Sequence, residues 1–341
     1  MTAPSPTPSK ATPSPETPTP TSGLVPGLSP APAGDRAGTP QRLGDRVFSG
    51  LSTGAGVFIL VVLAAVTIFL VTESLPVLGA EDAELPGGKG FLSTLGPLVF
   101  GTLLSAALAL LIATPLSIGI ALFISHFANP RLSRSLGYVI DLLAAIPSVI
   151  YGAWGFLVLA PYVVPTYGWL ADNLGFLPIF AGPAAATGRT MLTASLVLAV
   201  MILPIVTALS REVFLQTPRL HEEAALALGA TRWEMIKMAV LPFARPGMIS
   251  ASMLGLGRAL GETIAVLLVL SASGGITFNL IGRGNTSTIP ANIAPQFPEA
   301  TGIEVNALIA TGLVLFVVTF AVNFAARAVL ARRAAFDGAA G

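Results

Sequence analysis

Residues 211–247 read REVFLQTPRLHEEAALALGATRWEMIKMAVLPFARPG, a polar interruption in a chain that is apolar on both sides of it. Thr217 is placed to cap a helix beginning at Pro218, because a proline at the first helical position sacrifices no hydrogen bond. Leu220, Ala224 and Leu228 then fall on one face at i, i+4 and i+8, with Glu222 and Glu223 turned away. Gly229 is suited to close this helix in a left-handed conformation. Thr231 and Glu234 have the spacing of a capping box, so a second helix starts directly afterwards. Trp233, Ile236 and Val240 give it an apolar stripe, and Pro242 is expected to end it. The segment is therefore a compact helix-turn-helix with one face available to a partner.

Outward from this segment lie six stretches long enough to cross a hydrocarbon core, which takes roughly 20 apolar residues. They are residues 50–72, 97–124, 137–164, 191–210, 248–272 and 305–328. With both termini in the cytoplasm, the inner segments from Arg42 onward carry twelve lysines and arginines, among them Arg131, Arg134, Arg211, Arg219 and Arg327. The outer loops carry only Lys89, Arg189 and Arg283, which favours that orientation strongly. The first outer loop is acidic, and all three are rich in glycine and proline, as turns and short re-entrant pieces would be.

Composition agrees. Of 341 residues 53% are hydrophobic and 10% charged, with a mean hydropathy of +0.80, whereas soluble domains carry about 25% charged residues. A net charge of +1 gives no reason to expect nucleic acid as a partner, and the absence of cysteine excludes disulfides, thiolate metal sites and a cysteine nucleophile. Eleven prolines fall in the first 40 residues, which lack the apolar content to offset ordering entropy and are not a signal peptide. The expected organisation is a disordered cytoplasmic tail over 1–44, a first membrane helix over 45–75, a membrane core over 95–330 that includes the loop, and a C-terminal cytoplasmic tail over 331–341. The fold class is an all-α polytopic membrane protein with six transmembrane helices, N-in and C-in.

Within the fifth stretch, Arg258 and Glu262 stand near the middle of a segment otherwise fit for lipid. A central arginine or acidic residue costs roughly 2.5 to 3.5 kcal/mol on insertion scales, so such charges usually mark a substrate path. At i, i+4 the pair shares a helix face and partly neutralises itself, which leaves a purely structural ion pair open as the alternative. Ala251, Gly255 and Ala259 recur every four residues, as do Gly257, Gly261 and Ala265, and both rows suit close helix packing. An arginine in a path favours an anion, because its planar fork matches phosphate or carboxylate oxygens.

Both motifs resemble a known family. Glu223-Ala224-Ala225, Gly229 and Leu241-Pro242 look like the EAA loop of ABC importer permeases, departing from it only at Ala239, where an isoleucine is usual. GLGRALGETIAV in the fifth stretch, LLAAIPSVIYG over 142–152 and the last span resemble the permeases of the phosphate-specific (Pst) importer, PstC-like rather than PstA-like. The resemblance covers most of residues 47–333. It implies a type I ABC importer permease fold in a bacterial plasma (inner) membrane. It also implies a PstA-like permease partner, a PstB-like cytoplasmic ATPase dimer that binds the ATP and magnesium, a PstS-like extracytoplasmic binding protein, and inorganic phosphate as the substrate. The family's transport-critical arginine and glutamate map onto Arg258 and Glu262.

Other signals are weaker. Pro147 removes a backbone hydrogen bond from the third stretch, and Ser148 and Tyr151 beside it are candidates for the path, although packing alone would also explain them. Asp141 is expected to be solvated or paired near the inner end of that span. His126 and His221 cannot build a metal site between them. GGKG over 87–90 lacks the spacing and the Ser/Thr of a phosphate loop, so nucleotide binding falls to a separate subunit. The alternatives are a permease for another oxyanion, or an ion-coupled carrier or channel acting alone. An intramembrane hydrolase would need a nucleophile–base constellation, and no Ser-His or paired-carboxylate arrangement falls within the spans.

Overall fold

Six helices long and apolar enough to cross a membrane carry the sequence in a computed structural model that describes residues 43–81, 88, 90–273 and 275–339. The expected proline-rich tail up to residue 42 and most of the acidic first outer loop lie outside the described residues. Residues up to Val61 and those from Val62 onward form separate units. In the first, the described chain is the opening of helix α1, Leu43–Ser74, whose apolar side chains such as Phe48, Phe58 and Leu60 are exposed.

The second unit contains the remaining spans. Helix α2, Phe91–Leu122, ends in a π-helical turn at Phe123–Phe127. Asn129 then starts α3, Pro130–Ala144: its side chain accepts the Leu132 N–H at 2.8 Å, and Pro130 supplies a first residue that needs no partner. This helix is amphipathic and carries Arg131, Arg134 and Asp141, so it is not the start of a span. The third span, expected over 137–164, is Ser148–Leu174 instead. Pro147 disfavours helical geometry in the residue before it, and the chain breaks there. The Tyr151 hydroxyl donates to the Leu143 carbonyl across the break at 2.8 Å, a second donor to an oxygen that also accepts the Ile146 N–H at 3.3 Å. The span itself comprises α4, Ser148–Trp154, a π-helical turn at Gly155–Leu159, and α5, Ala160–Leu174.

Helix α6, Met191–Leu215, opens with Thr190 accepting the Thr193 N–H and is the most deeply packed element. The loop helix α7 runs Arg219–Ala227. Pro218 rather than Thr217 occupies its cap, without a side-chain bond, and the Thr217 hydroxyl is buried without a partner. Gly229 has φ +85°, the left-handed conformation that ends a helix. Thr231 and Glu234 form the capping box of α8, Arg232–Met235. Pro242 does not end this helix: a π-helical turn at Ile236–Val240 widens the coil before the ring, and α9, Leu241–Leu260, continues from it. The chain next forms a short half-helix, α10, Ile264–Val269, then an outer helix α11, Ile289–Gln296. The last helix, α12, spans Ile303–Ala339 and passes the expected boundary at 330 without a break.

Small residues let the central helices approach. Ala106, Ala109 and Ala113 of α2 are fully buried beside Val197, Leu198, Met201 and Ile202 of α6. The row Ala251, Gly255, Ala259 of α9 is buried too, and a Cβ added at Gly255 would meet Val206 at 2.8 Å. A second apolar cluster, with Ala121, Leu122, Phe214, Met235, Ile236, Val240 and Ala244, joins the inner ends of α2 and α6 to the start of α9. Asn285, fully buried, ties the outer ends: it accepts the Met191 N–H at 3.0 Å and donates to the Arg189 and Ser271 carbonyls.

Candidate translocation site and coupling loop

The fifth span is discontinuous where the charged pair lies. Helix α9 stops at Leu260, Gly261 to Thr263 leave the helical path, and α10 resumes at Ile264. Arg258 therefore occupies the last turn of one helix, where its cation complements the dipole. Glu262 lies in the break, and its Oε1 accepts the Ala265 N–H at 3.2 Å, serving the start of α10. The shared helix face expected from their spacing does not exist, because the helix ends between them. Among the described residues no lysine or arginine lies within ion-pair distance of a carboxylate, so Arg258 forms no ion pair with Glu262.

Arg258 is exposed and lines a cavity of about 710 Å³ with Ser250, Gly257, Asn323 and Arg327. Two arginines and two neutral polar side chains thus share one open space with the apolar Ile205, Met253 and Leu254. A smaller cavity of about 340 Å³ lies beyond the break, lined by Arg189, Ser271, Ser287 and Asn292. There the Arg189 guanidinium donates to the Leu270 carbonyl at the end of α10 at 3.3 Å, and sits 5.4 Å above the Phe156 ring. The broken span accordingly has an arginine-lined cavity on either side of its break. Neither Arg189 nor Arg327 stands out in the sequence, where both read as flanking charges. The i, i+4 spacing of Asn323 and Arg327 on the last span is the signal that links Arg327 to the Arg258 cavity.

Ser148 and Tyr151 are placed differently. Ser148 is half-buried at the first position of α4, and Tyr151 is buried, bracing the break at Pro147. The two interrupted spans meet next to them. A Cβ on Gly152 would lie 2.6 Å from the Ala265 Cα, so α4 and α10 touch backbone to backbone.

At the cytoplasmic loop, Leu220 and Leu228 are 73% and 90% exposed, and Glu223 and Ala224 are exposed with them. Ala225 turns inward against the inner apolar cluster, as does Leu241, while Pro242 is exposed. Trp233 is outside that cluster, half-exposed, with the Lys237 ammonium 5.1 Å above its ring, and Met235 fills the inward position instead. The His126 imidazole lies 3.7 Å from the Glu222 carboxylate and ties α7 to the end of α2. The Thr231 backbone N–H, then its hydroxyl, hold the exposed Glu234 carboxyl below the usual range, with Lys237 acting in the same direction. The capping box is thus intact above that lowered value and is lost only as pH falls through it.

With this geometry in place, relatives can be compared. A family profile described as "Binding-protein-dependent transport system inner membrane component" matches residues 113–335. A protein of Mycobacterium tuberculosis named phosphate transport system permease protein PstC 2 is 47% identical over 302 residues, 85% of this chain and 93% of its own length. A Mesorhizobium japonicum protein named phosphate transport system permease protein PstC is 38% identical over 325 residues, 91% of this chain and 98% of its own. The chain belongs to the PstC branch of the binding-protein-dependent permeases. It is a multi-pass membrane protein and a transport component, not an enzyme, of an ABC importer with a partner ATPase and a binding protein. A crystal structure of a bacterial alginate ABC transporter shares the fold, with a TM-score of 0.54 at 17% identity over 83% of this permease and 93% of that chain.

Proposed function

We propose that this chain is the membrane permease subunit of an ATP-driven phosphate importer in the bacterial inner membrane, forming half of the translocation path. It pairs with a PstA-like permease, sits on two copies of a PstB-like ATPase, and receives inorganic phosphate from a PstS-like binding protein outside. ATP and magnesium belong to the ATPase. The observation that carries the assignment is Arg258, a guanidinium unpaired with Glu262 at a helix break, opening with Arg327 into one cavity. Two cations sharing one open space suit an oxyanion, and the absence of a tightly closed cage suits its release.

Transport then follows from the two broken spans. Closure of the ATPase pair moves α7, whose exposed apolar face is its docking surface. The inner apolar cluster and the His126–Glu222 contact pass that motion to α2, α6 and α9. Rearrangement at Gly261 to Thr263 opens the path outward, phosphate passes the Arg189 cavity to Arg258, and hydrolysis returns the spans to the inward-facing state.

The test is uptake of radiolabelled phosphate by vesicles containing the reconstituted complex, with ATP inside. Loss of one charge-assisted contact costs about 1.5 to 3 kcal/mol, so Arg258→Gln should slow uptake roughly ten- to hundredfold. Because Arg258 and Glu262 are not paired, the double variant Arg258→Gln/Glu262→Gln should be no better than Arg258→Gln alone. Full recovery in the double variant, or normal uptake with Arg258→Gln, would overturn the path role. Uptake unaffected by excess sulfate but abolished by excess unlabelled phosphate separates this importer from one for another oxyanion.

A further inference from the structure

A third group of arginines lies away from the path, where α3 crosses the inner end of α6. A cavity of about 360 Å³ opens there, and Ser133, Arg134, Gly137, Tyr138, Asp141 and Arg211 line it. Ser133, Gly137 and Asp141 repeat every four residues on α3, and Arg134 and Tyr138 form the adjacent row. Arg211 reaches in from α6. Its guanidinium lies flat over Gly137, since a Cβ there would stand 3.2 Å from Nη1 and 3.3 Å from Cζ. Glycine is what allows the group to seat between the two helices.

The arginine is seated but not satisfied. Its Nε is buried and has no hydrogen-bond partner, and among the described residues neither Arg134 nor Arg211 forms an ion pair. A partnerless cation costs free energy, and the accessible part of this guanidinium, which makes no hydrogen bond among the described residues, faces the cavity, where an anion can compensate it. Asp141 lines the same cavity without closing on either arginine, so the lining keeps a net positive charge. The surroundings say what kind of anion fits. Leu132, Val139, Leu142 and Leu143 of α3 are exposed on the side of the helix turned away from the cleft, and this apolar face begins at the cleft's edge, where Leu142 follows the exposed Tyr138 one turn later. The distribution of lysine and arginine places that helix at the cytoplasmic surface, where the leaflet is anionic.

We propose that this cleft binds the phosphate group of an anionic phospholipid, with Arg134 and Arg211 clamping the headgroup, Ser133 and Tyr138 donating to it, and the acyl chains lying along the apolar face of α3. The headgroup would then hold α3, and through Arg211 the inner end of α6, against the membrane while the neighbouring loop moves. Free inorganic phosphate offers the same oxygen chemistry but has no use for the apolar face that begins at the cleft's Tyr138 and Leu142 edge.

Native mass spectrometry of the intact permease and ATPase complex, stripped of lipid in detergent, tests this. The probes are phosphatidylglycerol, phosphatidylcholine and inorganic phosphate, titrated separately. Phosphatidylglycerol should be retained in preference to phosphatidylcholine. Each of Arg134→Gln and Arg211→Gln should weaken its retention roughly fivefold and leave phosphatidylcholine unchanged. Arg134 is exposed, so its variant reads the site even if Arg211→Gln fails to assemble. Asp141→Asn, which removes a competing carboxylate, should strengthen retention. The proposal is overturned if Arg134→Gln retains both lipids as the wild type does. It is overturned equally if the arginine-dependent adduct is inorganic phosphate instead of lipid. Failure of Asp141→Asn to assemble would assign the arginines to Asp141 and also overturn it.

Discussion

Glu262 shows how a residue's role depends on where a helix stops. In a continuous helix it would neutralise Arg258; in the observed break it accepts the Ala265 N–H and opens α10. The two substitutions that remove its charge should therefore differ. Glu262→Gln keeps a carbonyl oxygen for that N–H and should leave folding intact. Glu262→Ala removes the acceptor and should lower stability by about 1 kcal/mol, the usual loss for a helix-start side chain. Thermal unfolding of the detergent-solubilised complex separates them, and equal midpoints would show that the contact contributes nothing. Residue types in this region were legible from the sequence, since two charges in an apolar stretch are conspicuous. Their lack of a mutual contact was not, because spacing reports a shared face only while the helix persists. Thr217 is a similar case: its type suits a cap, but its hydroxyl is buried one residue too early.

Among elements, the broken third and fifth spans work as a pair. Gly152 and Ala265 bring α4 and α10 into backbone contact, and a Cβ at Gly152 would already lie 2.6 Å from the Ala265 Cα. Gly152→Val must push the two half-helices apart, at a cost of about 1 to 3 kcal/mol for overpacking. Phosphate uptake should fall sharply while the exposed coupling loop still recruits the ATPase. Co-purification together with uptake checks both halves of that expectation, and normal uptake would mean that the contact is not needed. The loop element predicts the converse. Leu228 is 90% exposed at the C-terminal cap of α7, so Leu228→Asp should not disturb the permease fold. It should abolish ATPase co-purification, with uptake lost as a consequence. The helix-turn-helix was legible because capping residues and glycine act locally; Gly229 and the Thr231–Glu234 box adopt the expected geometry. Pro242 was not, since its effect depends on a π-helical turn upstream that only packing against the inner cluster selects.

For the whole molecule, the native chain contains no cysteine, so single introduced cysteines report sidedness cleanly. Ser135→Cys on α3 and Leu228→Cys on α7 should react with an impermeant maleimide only from the cytoplasmic side. Asn173→Cys near the end of α5 and Arg283→Cys in the outer segment should react only from outside. Labelling of Ser135→Cys from outside would invert the orientation and remove the basis for the lipid site.

The sequence by itself determined the number of spans, the helix-turn-helix of the loop and the charges set apart from the rest, because apolar length and capping are properties of neighbouring residues. Only the tertiary structure decided that α3 is a surface helix and not the start of a span. It alone broke the fifth span between Arg258 and Glu262, joined Arg258 to Arg327 in one cavity, and seated Arg211 over Gly137. These depend on which helices approach one another, and residues far apart in the chain set that by competing for the same volume.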